Sequence, residues 1–201
     1  MKSSKRLNSE TKSHILDAAK ASLLEHGYSG LSTRKVAVAA DAPLSQIHYH
    51  FGSKRNMILE LLETENRRLL ERQAEMFDAE APLWKQWEEA CDYLEEDLAS
   101  GYVRVLNEMI AAGWSDEGIA VAVQRQVISW FDLLASVAAR VQHRFGGFGP
   151  FTAQEWAALA GLPFLGAETV ILLGIPEEKL PARSALRKVA LVIRSMEERD
   201  M

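Results

Sequence analysis

Cysteine is nearly absent from this chain of 201 residues, and Cys91 is its single example. One cysteine cannot form an internal disulfide or a cysteine-rich zinc site, so we expect Cys91 to be a small buried apolar residue. Glycine and proline are also few, at 12 and 6 residues. This scarcity argues against a fibrous or disordered chain, and the hydrophobic share of 48% is enough for a substantial core.

Targeting and membrane-spanning signals are missing too. The first twelve residues, MKSSKRLNSETK, are polar and lack the apolar centre of a signal peptide. No run of the sequence approaches the roughly 18 apolar residues that a membrane span requires. We therefore expect a cytoplasmic protein without a membrane partner.

The motifs of common enzymes do not occur either. The sequence contains no G-x-S-x-G, no H-E-x-x-H and no glycine loop that cradles a phosphate. His48 and His50 are two positions apart, which turns their rings to nearly opposite sides of a helix, whereas a helical zinc pair is spaced i, i+4. We expect no catalytic residue, no cofactor and no metal.

What the chain does contain is a pattern of two short helices and a tight turn in residues 31–54. The Ser32-Thr33 pair can accept hydrogen bonds from the free N–H groups that open a helix. Asp41-Ala42-Pro43 ends that helix, because proline lacks an N–H yet suits the first turn of a new one. Ile47 and Phe51 then share one face at i and i+4, and polar side chains point elsewhere. The pattern is typical of a helix-turn-helix that reads a major groove, although a plain helical hairpin has the same periodicity.

Charge is divided unevenly along the sequence. Residues 1–56 contain nine Lys or Arg against four acids, a net charge of +5, and residues 57–201 contain 14 against 24, a net charge of −10. The basic N-terminal residues can bind DNA phosphates, and the acidic remainder of the chain is repelled by them. An uneven solvated surface would give the same numbers.

Residues 11–62 resemble the N-terminal domain of the tetracycline-repressor-like (TetR) family of transcriptional regulators. The end of the family's first helix is matched by His26-Gly27-Tyr28, and its second helix by Ser32-Thr33-Arg34-Lys35-Val36-Ala37. Its recognition helix and the exit from it are matched by Ile47-His48-Tyr49-His50-Phe51-Gly52-Ser53-Lys54. The resemblance implies an all-α fold with an N-terminal three-helix helix-turn-helix domain, residues 1–56, and a C-terminal helical ligand-binding and dimerisation domain, residues 57–201.

Three positions depart from the family pattern. Asp41 stands where the turn usually has glycine, Pro43 where the recognition helix usually opens with Ser or Thr, and His48 where tyrosine is usual. Carried over position by position, the resemblance implies base-edge contacts by Arg34 and Gln46. The full set of implied DNA contacts is Thr33, Arg34, Ser45, Gln46, His48, Tyr49 and Lys54, of which Thr33, Tyr49 and Lys54 are expected on phosphates.

Six further helices are predicted from apolar spacing and stop signals. They cover residues 54–77, 82–101, 102–114, 115–144, 152–174 and 181–197. Ser115 is expected to cap the fourth, and Thr152 with Glu155 forms the T-x-x-E pattern of a capping box on the fifth. Pro163 is expected to bend that helix, and residues 146–150, rich in glycine, cannot continue the one before it.

The last two predicted helices are unusually apolar for an acidic chain. In the family this pair meets its copy in a second subunit, so the resemblance implies a homodimer with Val189 and Ile193 in the seam. An internal hairpin in the core of a monomer is the alternative. The candidates for the lining of an effector pocket are Trp84, Trp87, Arg104, Asn107, Met109, Trp114, Trp130, Phe131 and Trp156, although each is also an ordinary core or interface residue.

The function that the resemblance implies is a sequence-specific, dimeric transcriptional repressor, released from a palindromic double-stranded operator by a small-molecule effector. The alternative is a constitutive or architectural DNA-binding protein without an effector. Ligand-triggered release from a specific operator distinguishes the two.

Overall fold

The computed structural model describes residues 2–78, 80–145 and 149–198, and the regular structure within them is entirely helical. The expected all-α fold is confirmed. The nine helices of this described part are α1 Lys2–Gly30, α2 Thr33–Ala39, α3 Leu44–Phe51, α4 Lys54–Asp78, α5 Leu83–Ser100, α6 Tyr102–Gly113, α7 Glu117–Phe145, α8 Ala153–Leu172 and α9 Ala182–Glu197.

The helix ends follow local capping chemistry. Thr152 Oγ1 accepts from the Glu155 N–H at 3.2 Å and Glu155 accepts from the Thr152 N–H at 2.7 Å, so the predicted capping box is confirmed. The prediction that Ser115 caps α7 is wrong by one residue. Asp116 accepts from the Ile119 N–H at 3.1 Å, whereas the Ser115 N–H still bonds to Ala112 O in the turn that closes α6.

Helix α8 continues through Pro163. The predicted stop at residues 146–150 lies partly outside the described residues, since the description of the chain resumes at Gly149.

The chain packs as two compact units. Unit 1 consists of Met1–Arg67 and Arg104–Gln124, and unit 2 of Arg68–Val103 and Arg125–Met201. Packing therefore groups the first part of α4 and most of α6 with the N-terminal helices. The domain boundary after residue 56 was drawn from the family layout and stays a prediction.

The core of unit 1 fixes its three N-terminal helices against the start of α4. Ile15 of α1, Val36 of α2, Ile47 of α3 and Met57 of α4 are fully buried. Burying a side chain of this size stabilises a fold by about 1.5–3 kcal/mol. The two short helices are therefore held by apolar packing, which leaves their polar faces outside.

The core of unit 2 joins α5, α8 and α9 through Cys91, Phe164 and Leu186. Cys91 is buried as expected, and burial raises the pKa of its thiol to about 11, so the thiol stays protonated near neutral pH. The indole N–H of Trp87 donates to Leu186 O at 2.7 Å, which satisfies the polar end of that ring.

Among the described residues one helix, α8, is long and apolar enough to cross a membrane by length and composition. By this measure of length and composition, the expectation that no stretch approaches a membrane span is wrong for α8. Only 22% of that stretch is buried within the structure, which leaves much apolar surface uncovered. Glu168 interrupts it, and the uncharged run between Glu155 and Glu168 is shorter than the roughly 20 residues that a hydrocarbon core needs.

Candidate nucleic-acid interface

The turn between α2 and α3 is built from side-chain caps and one unusual backbone conformation. Ser32 Oγ accepts from the Lys35 N–H at 3.2 Å and so opens α2, as the sequence predicts. After α2, Asp41 has a φ of 45°, the left-handed conformation that asparagine and aspartate tolerate better than most residues. Aspartate thus adopts the backbone conformation for which the family uses glycine. Pro43 then precedes the first residue of α3, as expected.

Helix α3, which follows this turn, is amphipathic. Ile47 and Phe51 point into the core of unit 1, at 0% and 5% exposure, while Tyr49 on the other side is 73% exposed. Ser45 and His48 are exposed with it. A short helix that is anchored by two apolar residues and carries polar tips outward can enter a major groove.

The seven residues that the resemblance assigns to DNA differ in accessibility. Arg34, Ser45, His48 and Tyr49 are exposed, and Thr33, Gln46 and Lys54 are half-buried. All seven belong to unit 1, on α2, α3 and the start of α4. Their contacts with DNA stay a prediction.

Lys54 already has a partner inside the protein. Its Nζ donates to Tyr28 O at 2.6 Å and lies 4.4 Å from the centre of the Tyr28 ring. Desolvation lowers the pKa of the Lys54 amine. An ammonium group has three N–H donors, so a phosphate contact and the bond to Tyr28 are compatible. Sequence reasoning did not find the bond because Tyr28 is distant in the chain.

His48 and His50 point to different surroundings, as the spacing predicts. His48 is exposed and its Nδ1 lies 3.3 Å from Gly52 O, whereas the Nε2 of His50 is buried without a hydrogen-bond partner among the described residues. Burial lowers the pKa of His50, which favours the neutral form of its ring. Within the described chain no three His, Cys, Asp or Glu side chains come together to hold a metal ion.

The candidate pocket residues divide between the two units. Arg104, Asn107, Met109 and Trp114 belong to unit 1, and Trp84, Trp87, Trp130, Phe131 and Trp156 belong to unit 2. Several have structural partners: Arg104 pairs with Glu108, and the Trp130 indole donates to Gln73 at 2.8 Å. Trp114 is 83% exposed. A role in ligand binding stays a prediction for all nine.

Comparison with known proteins identifies the N-terminal segment. Residues 15–61 match the family model of bacterial regulatory proteins, tetR family. Over 61 residues the chain is 33% identical to the HTH-type transcriptional repressor AcnR of Corynebacterium glutamicum, a match that covers 30% of this chain and 32% of that relative. The chain thus aligns with about a third of the curated relative's length, and the predicted resemblance is confirmed there.

Solved structures extend the likeness to most of the chain at the level of the fold. FadR from Bacillus subtilis in complex with stearoyl-CoA superposes with a TM-score of 0.75 at 13% identity, covering 90% of this chain and 96% of that one. A putative TetR-family regulator from Rhodococcus sp. gives a TM-score of 0.75 at 20% identity, covering 92% and 98%. These proteins share the fold of this chain, including the helices after residue 61.

Proposed function

We propose that this chain, whose residues 15–61 belong to the tetR family of bacterial regulatory proteins, is a dimeric transcriptional repressor that leaves its operator when a small molecule binds. The observation that carries the proposal is helix α3, which is fixed by Ile47 and Phe51 and turns Ser45, His48 and Tyr49 outward in the matched segment. A cytoplasmic location follows from the DNA target. No catalytic step is proposed.

The DNA contacts are proposed on the exposed side of α2 and α3. Arg34 and Gln46 read base edges, and Thr33, Tyr49 and Lys54 hold phosphates. The net charge of +5 on residues 1–56 supports this arrangement, because phosphate neutralisation supplies most of the non-specific affinity of such proteins.

Replacing Gln46 by alanine should weaken operator binding by about 1–3 kcal/mol and relax specificity at one base pair per half-site, because an amide side chain reads an adenine edge with two hydrogen bonds. The operator is first selected from a random duplex library with the wild-type protein, and affinities are then measured by fluorescence anisotropy. Gln124→Ala is the matched control, since Gln124 is an exposed glutamine on α7. An unchanged base preference in the Gln46 variant would show that Gln46 does not read a base edge.

The second half of the proposal is a homodimer through α8 and α9, and uncovered apolar side chains support it. Leu159, Leu162 and Leu173 form an exposed stripe along α8 and its end. Gly166 lies on the same stripe, and a side chain there would meet nothing within 4 Å, so another helix can approach its backbone closely. On α9, Leu191, Val192 and Met196 are exposed. A two-fold dimer then has to place its two α3 helices about 34–36 Å apart, in successive major grooves.

Release by a ligand is proposed to act through α4, which contributes residues to both compact units. A small, largely apolar molecule binds better to a conformation whose reading helices do not match adjacent grooves. Ligand and operator then oppose each other through one equilibrium.

This linkage requires the ligand and the operator to affect each other's affinity equally. Operator DNA should weaken ligand binding by the same factor by which the ligand weakens DNA binding, typically about 5- to 150-fold. Stearoyl-CoA, which a structural neighbour binds, is a suitable first probe, alongside decanoate and tetraphenylphosphonium as simpler apolar ions of opposite charge. Each is titrated calorimetrically with and without the selected operator. A probe that binds equally in both titrations has no regulatory role, and the same result across a broad ligand screen would favour the constitutive alternative.

A further inference from the structure

Helix α1 is interrupted near its C-terminal end, at Gly27. Gly27 has φ 68° and ψ 173°, far from helical values, so a new helical turn starts at Tyr28. The first N–H groups of a helical turn have no partner within it. The Tyr28 N–H finds one 80 residues away, because it donates to Glu108 Oε2 of α6 at 3.0 Å.

The carbonyl of the same residue is held from another helix. Lys54 Nζ, at the start of α4, donates to Tyr28 O at 2.6 Å. A carboxylate therefore holds the N–H of Tyr28 and an ammonium holds its carbonyl. Bonds to ionised partners are about twice as strong as bonds between neutral groups. We call these two bonds, with Glu108 and Lys54 as their side chains, the Tyr28 clasp.

Glu108 is itself fixed in the orientation that the clasp needs. Arg104, one turn earlier on α6, donates from Nε and Nη2 to Glu108 Oε1 at 3.0 and 2.9 Å. One carboxylate oxygen is thus occupied by Arg104, and the other is left for the Tyr28 N–H. The Glu108 side chain is only 23% exposed, so water competes weakly for it.

The position of the clasp connects it to α2 and α3, the helices that are proposed to contact DNA. Leu31 follows three residues after Tyr28 and is buried at 2% exposure, and Ser32 caps α2 directly after it. A displacement of Tyr28 therefore shifts the start of α2, on which α3 is packed. We propose that Glu108 is a positioning residue for DNA reading: through the Tyr28 backbone it holds α2 and α3 in the orientation that fits a groove. This inference rests on the proposed DNA-binding function.

Because Glu108 is charged, the loss of its charge and the loss of the clasp predict opposite effects on DNA binding. Removal of an acid from a DNA-binding unit should strengthen DNA binding if only its charge matters, since repulsion from phosphates is lost. The clasp predicts the opposite sign for Glu108→Ala. We expect about tenfold weaker binding to the selected operator, little loss on a scrambled duplex, and faster hydrogen exchange at the Tyr28 amide.

Two further variants complete the experiment on the full-length protein. Glu108→Gln keeps an oxygen acceptor for the Tyr28 N–H and should retain operator binding within about threefold. Glu63→Ala removes an exposed acid from α4 in the same unit without touching the clasp, and should bind DNA as well as wild type or better. If the alanine variant does not fold by circular dichroism, Glu108→Asp takes its place, with weaker operator binding again expected because the side chain is shorter.

The outcomes separate the clasp from the function on which it rests. A wild-type protein that selects no sequence from the duplex library contradicts the proposed function. A wild type that binds its operator, together with a folded Glu108→Ala protein that binds it equally or more tightly, overturns the clasp alone. Equal losses of affinity for the operator and for the scrambled duplex would also overturn it, because a changed orientation of α2 and α3 should weaken the sequence-specific contacts.

Discussion

The double variant Leu162→Glu, Val192→Glu should sediment as a monomer at concentrations where the wild type is a dimer. The two side chains are 57% and 59% exposed, one on α8 and one on α9, and are proposed to meet their copies across the two-fold axis. Burying four carboxylates in that seam costs several kcal/mol, because each loses its water and the like charges repel one another. Operator affinity should fall by about 10²- to 10⁴-fold, since each monomer then binds a single half-site.

The matched control is Ile128→Glu. Ile128 on α7 is also 57% exposed but lies outside the proposed seam, so this variant should stay dimeric and bind the operator normally. A folded double variant that remains a dimer in equilibrium sedimentation would place the seam elsewhere. If Ile128→Glu alone dissociates the dimer, the interface is on α7.

The second large effect is expected from Glu168, which is half-buried within unit 2. Burial raises the pKa of its carboxyl from 4.5 to about 8, and the nearby Asp97 adds to the rise. At pH 7 this side chain is ionised in the unfolded chain but mostly protonated in the folded protein. Its contribution to stability is therefore greatest below about pH 4.5, falls as the pH rises, and levels off above about 8.

Glu168→Gln replaces the protonated acid by a neutral group of the same shape. Folding of this variant no longer requires the uptake of a proton, so it should be more stable than wild type by roughly 3 kcal/mol at pH 7 and by more at pH 9, with little difference at pH 5. Urea unfolding at the three pH values measures the difference. The exposed Glu178→Gln should show no such trend. A stability difference independent of pH would mean that the carboxyl is not held in its protonated form.

The helices were predictable because their signals are local. Caps such as Ser32 and Thr152 act within three residues, and apolar spacing within one turn, so both can be recognised in the sequence. The prediction of Ser115 as the cap of α7 failed for the same reason: the neighbouring Asp116 is an equally good cap, and the turn that closes α6 leaves Asp116 at the start of α7.

Contacts between segments that are distant in the sequence could not be predicted. Glu108 and Tyr28 are separated by 80 residues, and nothing in the spacing of either indicates the other. The seam positions show a subtler limit. The resemblance implied Val189 and Ile193 in the seam, but both are half-buried in the subunit, whereas Leu191 and Val192 are exposed. An apolar helix has more than one apolar face, and the packing of α9 on α5 and α8 determines which of them stays outside.

The buried thiol of Cys91 gives the chain a practical property. It is the only cysteine in the sequence and it stays protonated at neutral pH, so maleimide and methanethiosulfonate reagents have almost no thiolate to attack. A cysteine introduced at Ser45, exposed on α3, would be the single reactive thiol of each subunit. In the proposed dimer, spin labels attached there would report the separation of the two α3 helices by pulsed electron resonance, in solution and without DNA.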